Sequence, residues 1–402
     1  MNLPSRAPDP ATSELEFPPD FIGSQAVFPA AEFAGRLSRI QQALRANGAE
    51  ALLLTGPENI FWATGRQTAG YFAFQALIVP QSGEPVLLVR QLELTGARAS
   101  CWLKRIETWQ DGQDPVAVLI ALIADLGLRE LALEREGWFV SPALYGRIEA
   151  GLSGLRLSDG SGLVEGLRAV KSPAELGAIR RAAHYAEAGM VAALAACRAG
   201  VSENDIAAAM LFAAVEAGSE AMAMEPLISS GPRSGIPHAT WRRRVLEPGD
   251  GVFLELAASH DRYHAALMRA VWIGPPPALA QRMMDTALRA LDAALSSMRP
   301  GVSCATAHEA AQAVIDDAGY TAAFRKRIGY SIGAAFAPDW GEGAILSLFS
   351  GVDRLLEPGM VFHLPATLRS YGAFTVGASE TVIVTETGIE PLSDLPRGLT
   401  IC

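Results

Sequence analysis

The C-terminal half of the chain contains two copies of one pattern. AGVSENDIAAAMLFAAVEAG (Ala199–Gly218) resembles PGVSCATAHEAAQAVIDDAG (Pro300–Gly319) at the same spacing, and RVLEPGDGVFLEL from Arg244 resembles RLLEPGMVFHLP from Arg354 with one residue inserted. Each copy predicts a helix, a loop and an LEPG turn that leads into an apolar strand. The duplication therefore predicts two halves related by an approximate twofold axis, which share one sheet and leave a cleft between them.

The rest of the chain predicts a second domain and a short arm. Residues 31–165 alternate helical and strand patterns, from the amphipathic helix FAGRLSRIQQALRANG onward, which is typical of an α/β layer arrangement. Residues 166–402 open with a long helix, because Ser172, Pro173 and Glu175 form a capping box in front of an apolar stripe. Residues 1–30 are rich in proline and polar residues, and we expect an extended arm there.

Composition excludes several classes of function. The net charge of −10 disfavours nucleic acid and anionic membrane surfaces as partners. We find no targeting signal and no apolar run long enough to span a membrane, so we expect a cytoplasmic protein. The four cysteines are scattered without a CxxC pair, which indicates reduced thiols and not a zinc site or a disulfide framework.

One carboxylate interrupts an otherwise apolar strand. In VFLELAASHDRYHAALMRAV (Val252–Val271), Glu255 lies within a run that reads as buried. Burial of a charge costs several kcal/mol unless the charge is paired or neutralised. Glu255 is therefore either a structural ion-pair partner, with Arg269 or Arg244 as the cation, or a functional carboxylate in a cleft.

Several motifs in a fixed order resemble the pita-bread family of aminopeptidase P, prolidase, methionine aminopeptidase and creatinase. They are LRAVKSPAELGAIRRA, SGPRSGIPHA, LEPGDGVFLEL, GYSIG, LEPGMVF and ETVIVTETG, and they extend over residues 30–395. The resemblance implies an α/β (α+β) fold. A creatinase-like N-terminal α/β domain would precede a C-terminal pita-bread domain with an internal pseudo-twofold repeat.

The peptidases of that family bind two metal ions through Asp, Asp, His, Glu and Glu. On the matching motifs of this chain, these positions are occupied by Glu255, Ala266, Tyr330, Pro365 and Ser379. One carboxylate and one phenol do not provide the several hard ligands that two divalent ions need. We therefore expect no metal and no cofactor.

A longer motif narrows the resemblance. GYSIGAAFAPDWGEG (Gly329–Gly343), followed by LEPGMVFH, resembles the ectoine hydrolases, which open the cyclic amidine of ectoine and of 5-hydroxyectoine. The resemblance implies metal-independent hydrolysis of these small molecules to N-acetyl-L-2,4-diaminobutyrate. The amidinium carbon is electrophilic without a Lewis acid, so the loss of metal ligands does not exclude this chemistry.

The resemblance assigns roles to nine residues, each with a structural alternative. Glu255 is the nucleophile or the base that directs water, His238 moves the proton, and Tyr330 polarises the substrate or fills the space of the lost ligand. Six further residues are predicted to bind substrate, against the alternatives of core packing, surface charge or structural hydrogen bonding: Trp340, Asp339, Glu342, His363, Glu380 and Arg233.

Two other functions remain open at this point. One is a creatinase-like amidinohydrolase that acts on another amidine or guanidino compound, and the other is a non-catalytic pseudopeptidase that binds a partner. Convergence of Glu255, His238 and Tyr330 in one cleft would count against the binding module. The family resemblance also implies a homodimer, with GRQTAGYFAF (Gly65–Phe74) as a mobile closing loop or a simple turn.

Overall fold

A computed structural model of the protein describes residues 17, 18 and 20–402. The chain divides into two compact units, with the division between Val164 and Glu165. Most of the predicted arm lies outside the described residues. Within its described part, the turn at Gly23–Gln25 is hydrogen-bonded to the backbone at Arg98 and Ala99.

The first unit is a six-stranded mixed sheet with helices. The strand order is β4-β3-β2-β1-β5-β6, with β1–β2 and β2–β3 antiparallel and the other pairs parallel. The helix that ends at Gly48 is confirmed, and Gly48 adopts the left-handed conformation that closes it. The elements are α1 (Ala30–Asn47), β1 (Ala51–Leu54), α2 (Pro57–Thr64), β2 (Ala76–Pro80), β3 (Val86–Arg90), α3 (Leu94–Ser100), β4 (Arg105–Trp109), α4 (Pro115–Asp125), β5 (Glu130–Leu133), α5 (Pro142–Gly151) and β6 (Arg156–Asp159), followed by α6 (Leu163–Arg168) across the division.

The second unit contains two antiparallel hairpins of long strands and four longer helices. The predicted capping box is confirmed: the Ser172 hydroxyl accepts from Glu175 N–H, and the Glu175 carboxylate accepts from Ser172 N–H. The elements are α7 (Pro173–Ala196), α8 (Glu203–Glu216), β7 (Leu227–Ser230), β8 (Gly251–His260), β9 (Tyr263–Trp272), α9 (Ala278–Ser297), α10 (Cys304–Asp317), β10 (Gly329–Ser331), β11 (Ser347–Leu348), β12 (Val361–Ser370), β13 (Phe374–Val384), β14 (Ile389–Pro391) and β15 (Thr400–Ile401).

The internal repeat is visible in matching backbone hydrogen bonds. Gly200 N–H donates to Leu246 O in the first copy, and Gly301 N–H donates to Leu356 O in the second, both at 2.9 Å. In each copy this bond ties the loop before the repeat helix to the LEPG turn before a hairpin. The hairpins are β8–β9 and β12–β13, so the duplicated sequence folds into two duplicated units of structure.

The hydrogen bonds also correct the alignment of the two copies. Asp250 O and Met360 O accept equivalent bonds from the ends of their hairpins, with no residue inserted between them and the strands. Glu255 and Pro365 follow these residues by the same five positions, so they are structural equivalents. The apparent insertion arose because Val252 and Val361 look alike, although Gly251 is the residue that matches Val361.

The prediction of one shared sheet is wrong. Strands β8 and β12 belong to separate hydrogen-bonded sheets, β15-β9-β8-β7 and β11-β10-β12-β13-β14. Side chains of β13 join the two sheets instead: Ser379 Oγ accepts from Met268 N–H at 2.7 Å, and Thr381 Oγ1 accepts from Ala266 N–H at 3.1 Å and donates to Ala266 O at 2.9 Å. We call this contact between β9 and β13 the hydroxyl seam.

The described part of the chain can be compared with the expectations about membrane spans and cysteines. Among its helices, none combines the length and hydropathy that a membrane span requires. All four cysteines are free thiols, and three of them are buried.

Candidate active site

One cavity in the second unit brings together residues from both copies of the repeat. Its volume is about 1000 Å³, at the upper end of the range for small-molecule sites. The floor is formed by the paired hairpin strands, and the walls by the segments before β10 and after the turn at Gly231–Gly235. Its lining includes Pro237, His238, Glu255, Met268, Asp316, Lys326, Arg327, Tyr330, Pro365, Thr367 and Arg369.

Glu255 lies on the floor of this cavity, in the middle of β8. Its side chain is 6% exposed, and its carboxylate has no hydrogen-bond partner among the described residues. Burial raises the pKa of Glu255 above its ordinary value, although Lys326 and Arg369 act in the opposite direction and Asp339 adds to the rise. Neither Arg269 nor Arg244 pairs with it, so the structure does not provide the ion pair of the structural alternative.

His238 lines the same cavity from the loop after Gly235. Its backbone has a φ of 55°, a left-handed conformation that is uncommon for a residue with a side chain. Burial and the positive charges of Arg369 and Lys326 lower the pKa of His238, which favours a neutral imidazole at pH 7. A neutral imidazole can accept a proton from water.

Tyr330 completes the group of three predicted catalytic residues. Its hydroxyl accepts from Trp340 Nε1 at 3.0 Å and is 2.8 Å from His363 Nδ1. His363 Nε2 is in turn 2.7 Å from Ser379 Oγ in the hydroxyl seam. Trp340 and His363 are buried behind Tyr330 and outside the cavity lining, so both support the tyrosine and do not reach a ligand there.

The cavity is also lined by basic residues that were not identified from the sequence. Lys326 Nζ donates to Thr367 Oγ1 at 2.8 Å, Arg327 lies 5.0 Å from the centre of the Tyr330 ring, and Arg369 lies two residues beyond Thr367 on β12. Residues two apart on a strand share one face. Because Pro365 was matched to a cleft position, this alternation could have predicted that Thr367 and Arg369 on β12 also face the cavity. Three basic side chains therefore surround Glu255, although burial and the charge of Arg369 lower the pKa of Lys326.

Glu342 and Asp339, both predicted to bind substrate, lie outside the cavity lining. Glu342 is buried between two cations, with its carboxylate oxygens 2.7 Å from Arg168 Nη2 and 2.8 Å from Lys171 Nζ. Asp339 is exposed and accepts from Gly341 N–H, so it shapes its own loop. Neither lines the cavity, whose acidic lining residues are Glu255 and Asp316, although the charge of Asp339 still acts on Glu255.

Glu380 and Arg233 are likewise engaged in structural ion pairs. The Glu380 carboxylate accepts from Arg269 Nη2 at 3.1 Å and from Arg397 Nε at 3.0 Å, and it is fully buried. Arg233 pairs with the buried Glu203 at 2.6 Å and lies outside the cavity lining. Adjacent residues on a strand point to opposite faces, so Ser379 and Glu380 cannot both face the floor.

The metal-binding positions of the related peptidases do not form a metal site here. Ala266 and Pro365 carry no ligand atom, the Ser379 hydroxyl is used in the seam, and the Tyr330 hydroxyl is bonded to Trp340 and His363. The described residues contain no group of three or more His, Cys, Asp or Glu side chains placed to hold a metal ion. Glu255 alone remains, and a single carboxylate does not hold two divalent ions.

Comparison with known proteins agrees with this architecture. Residues 36–170 match the creatinase/prolidase N-terminal domain, and residues 177–386 match metallopeptidase family M24. A curated relative, the ectoine hydrolase of Halomonas elongata, is 28% identical over 93% of this chain and 98% of its own length. Probable dipeptidase PepE of Mycobacterium bovis is 26% identical over 93% of this chain and 98% of its own length.

Solved structures give the same picture. Dipeptidase PepE from Mycobacterium ulcerans superposes with a TM-score of 0.80 at 26% identity, covering 93% of this chain and 99% of its own. A prolidase from Thermococcus sibiricus gives a TM-score of 0.84 at 20% identity, covering 93% and 100%, which shows the shared fold alone. With its C-terminal unit matched along most of its length and the creatinase/prolidase domain in front of it, the chain belongs to metallopeptidase family M24.

Proposed function

We propose that the protein is a metal-independent hydrolase that opens the ring of a cyclic amidine carboxylate, with ectoine and 5-hydroxyectoine as the substrates. The observation that carries the proposal is Glu255, a buried carboxylate that has no hydrogen-bond partner in the described part of the chain and lies on the floor of a cavity whose metal-ligand positions are lost. A cyclic amidinium offers a positive charge to Glu255. The carboxylate of the substrate offers a negative charge to Lys326 and Arg369. We also expect the protein to be a homodimer.

The chemistry needs one water and no redox partner. The amidine carbon gains a bond to oxygen, either from Glu255 directly or from a water that Glu255 directs, and one ring C–N bond breaks with its electron pair left on nitrogen. When Glu255 directs water, His238, neutral at rest, takes a proton from that water and delivers it to the departing nitrogen. When Glu255 attacks directly, the departing nitrogen receives a proton that His238 first takes up from solvent, and the water that then displaces Glu255 from the acetyl carbon returns a proton to solvent. The water oxygen ends on the acetyl carbon, and Glu255 is released unchanged.

The cavity supports a peptidase and a bare binding module less well than it supports this hydrolase. A peptidase would need a Lewis acid or metal-bound hydroxide to attack an unactivated amide, and the donor set for it is missing. A bare binding module would not need Glu255, His238 and Tyr330 to line one cavity, as they do. A creatinase-like amidinohydrolase differs only in substrate, so substrate profiling distinguishes it.

We predict that the purified protein hydrolyses ectoine or 5-hydroxyectoine and leaves Xaa-Pro dipeptides intact, with the same rate in the presence of a chelator. The measurement is the appearance of N-acetyl-diaminobutyrate in a panel that also contains creatine. Dipeptide cleavage that chelation removes would contradict the proposal. Turnover of creatine alone would move the assignment to the amidinohydrolase.

The rate should depend on pH through Glu255. Only the ionised carboxylate attacks or directs water, and burial raises its pKa, so kcat/KM should fall as the pH decreases through that raised value. We expect the midpoint at least one pH unit above the ~4.3 of an unperturbed glutamate. A pH–rate profile of kcat/KM measures it, and an acid limb at the ordinary position would argue against a buried catalytic carboxylate.

A further inference from the structure

A line of hydrogen bonds connects the hydroxyl seam to the cavity. Met268 N–H donates to Ser379 Oγ at 2.7 Å, Ser379 Oγ lies 2.7 Å from His363 Nε2, and His363 Nδ1 lies 2.8 Å from the Tyr330 hydroxyl. Trp340 Nε1 donates to the same hydroxyl at 3.0 Å. These distances do not show where the hydrogens lie, but the donors and acceptors determine it.

The hydrogen of Ser379 fixes the state of His363. Ser379 is fully buried, and its oxygen already accepts from Met268 N–H. Within the described residues, the only acceptor beside Ser379 Oγ is His363 Nε2, and a buried hydroxyl hydrogen without an acceptor is costly. Nε2 therefore accepts. Burial lowers the pKa of His363 to about 3, so the neutral ring carries its single hydrogen on Nδ1.

The hydrogen of Tyr330 is then directed into the cavity. Its oxygen accepts from two donors, His363 Nδ1–H and Trp340 Nε1–H, and no acceptor among the described residues remains for its own hydrogen. Tyr330 lines the cavity. We propose that Ser379 and His363 are positioning residues that orient the Tyr330 O–H toward the substrate as a hydrogen-bond donor.

The chemistry of the substrate decides what this donor meets, and this step rests on the proposed function. Both nitrogens of a cyclic amidinium carry hydrogen and have delocalised lone pairs, so the amidinium group offers Tyr330 no acceptor while the substrate carboxylate pairs with Lys326 and Arg369. An acceptor forms only when the amidine carbon gains oxygen or the departing nitrogen regains its electron pair. Tyr330 therefore stabilises the transition state more than the bound substrate, and its loss lowers kcat more than it raises KM.

The first test needs no substrate. Nitrogen-15 NMR of the resting protein, with His363 assigned by its loss in His363→Gln, should show the hydrogen of His363 on Nδ1. In Ser379→Ala, nothing donates to Nε2 any longer, so the preference for Nδ1 is lost and we expect the share of the hydrogen on Nδ1 to fall. A wild-type protein with the hydrogen on Nε2 would overturn the proposal, whether or not the protein hydrolyses ectoine.

The second test is kinetic and uses a matched control. Ser379→Ala should lower kcat about tenfold, because the Tyr330 hydrogen can then turn to Nδ1, whereas Tyr330→Phe removes the donor and should cost about a hundredfold. Thr381→Val removes the other hydroxyl of the seam, which bonds to Ala266 and, among the described residues, not to His363, and it should leave kcat near wild type although Thr381 lies opposite His363 in the ladder.

A double mutant separates positioning from plain stabilisation of the fold. If Ser379 acts through Tyr330, Ser379→Ala should cost nothing further in a Tyr330→Phe background. Additive losses of kcat in the double mutant, or equal losses in Thr381→Val and Ser379→Ala, would refute the proposal that Ser379 acts through Tyr330. If wild-type protein lacks activity on every amidine but carries hydrogen on Nδ1 of His363, the proposed function fails and the orientation of Tyr330 stands.

Discussion

Glu255→Gln should reduce turnover of ectoine by about a thousandfold or more, because it removes the group that attacks or directs water. Glutamine keeps the shape of the side chain while it removes the charge. Glu255 lies in the cavity without an ion-pair or hydrogen-bond partner among the described residues, so its charge contributes little to the fold. The variant should melt at or above the wild-type temperature, as is common when a desolvated functional charge is removed.

Product formation, ligand binding and melting temperature together measure this prediction. The variant should still bind ectoine at least weakly. Glu255→Asp shortens the reach by one methylene, and it should be as damaging as glutamine if Glu255 attacks directly but milder if it directs water. A Glu255→Gln protein that melts early yet retains near-normal turnover would return Glu255 to a structural role.

Glu342→Gln should destabilise the second unit by about 3–5 kcal/mol, because removal of one partner leaves buried charges uncompensated. Arg168 and Lys171, both 4% exposed, contact its two carboxylate oxygens. Burial alone would raise the pKa of Glu342, but these two cations outweigh it and hold the pKa below its ordinary value. The carboxylate is thus ionised, and its charge holds the two cations together.

Denaturant unfolding measures the effect, with Glu357→Gln as the control. Glu357 pairs with Arg354 across three residues at the surface, where both side chains are half-exposed, so its loss should leave stability nearly unchanged. Turnover by the folded fraction of Glu342→Gln should match wild type. A stable Glu342→Gln protein that loses substrate affinity would instead restore the predicted role in substrate binding.

The features that the sequence predicted well are local or repeated. The capping box at Ser172 and the helix end at Gly48 depend on neighbours within a few residues, and they were confirmed. The repeat could be recognised because each of its two copies keeps an LEPG turn. The family resemblance then brought Glu255, His238 and Tyr330 to one cavity, where the structure also places them.

The features that it missed depend on partners far away in the chain. Glu342 meets Arg168 across 174 residues, and Glu380 meets Arg269 across 111, so no local window could show that these carboxylates were already paired. Lys326 and Arg369 were not singled out from the sequence, because only the fold places β12 and the segment before β10 around Glu255. One shared sheet was expected because two similar halves suggest a continuous ladder of backbone hydrogen bonds. Between β9 and β13, however, the hydroxyls of Ser379 and Thr381 bond to the backbone of β9 in place of a backbone ladder.

At position 379, one side chain can either make the hydrogen bonds of the hydroxyl seam or bind a metal ion, but not both. The family resemblance matches this position to a metal ligand of the peptidases, whereas here its hydroxyl accepts from the Met268 amide of the opposite half and bonds to Nε2 of His363. A carboxylate installed at Ser379 to rebuild a metal centre would add a charge there and remove the hydrogen that Nε2 receives. Metal binding and the present seam are thus mutually exclusive uses of one side chain, and single substitutions toward a metallopeptidase should lose function before they gain it.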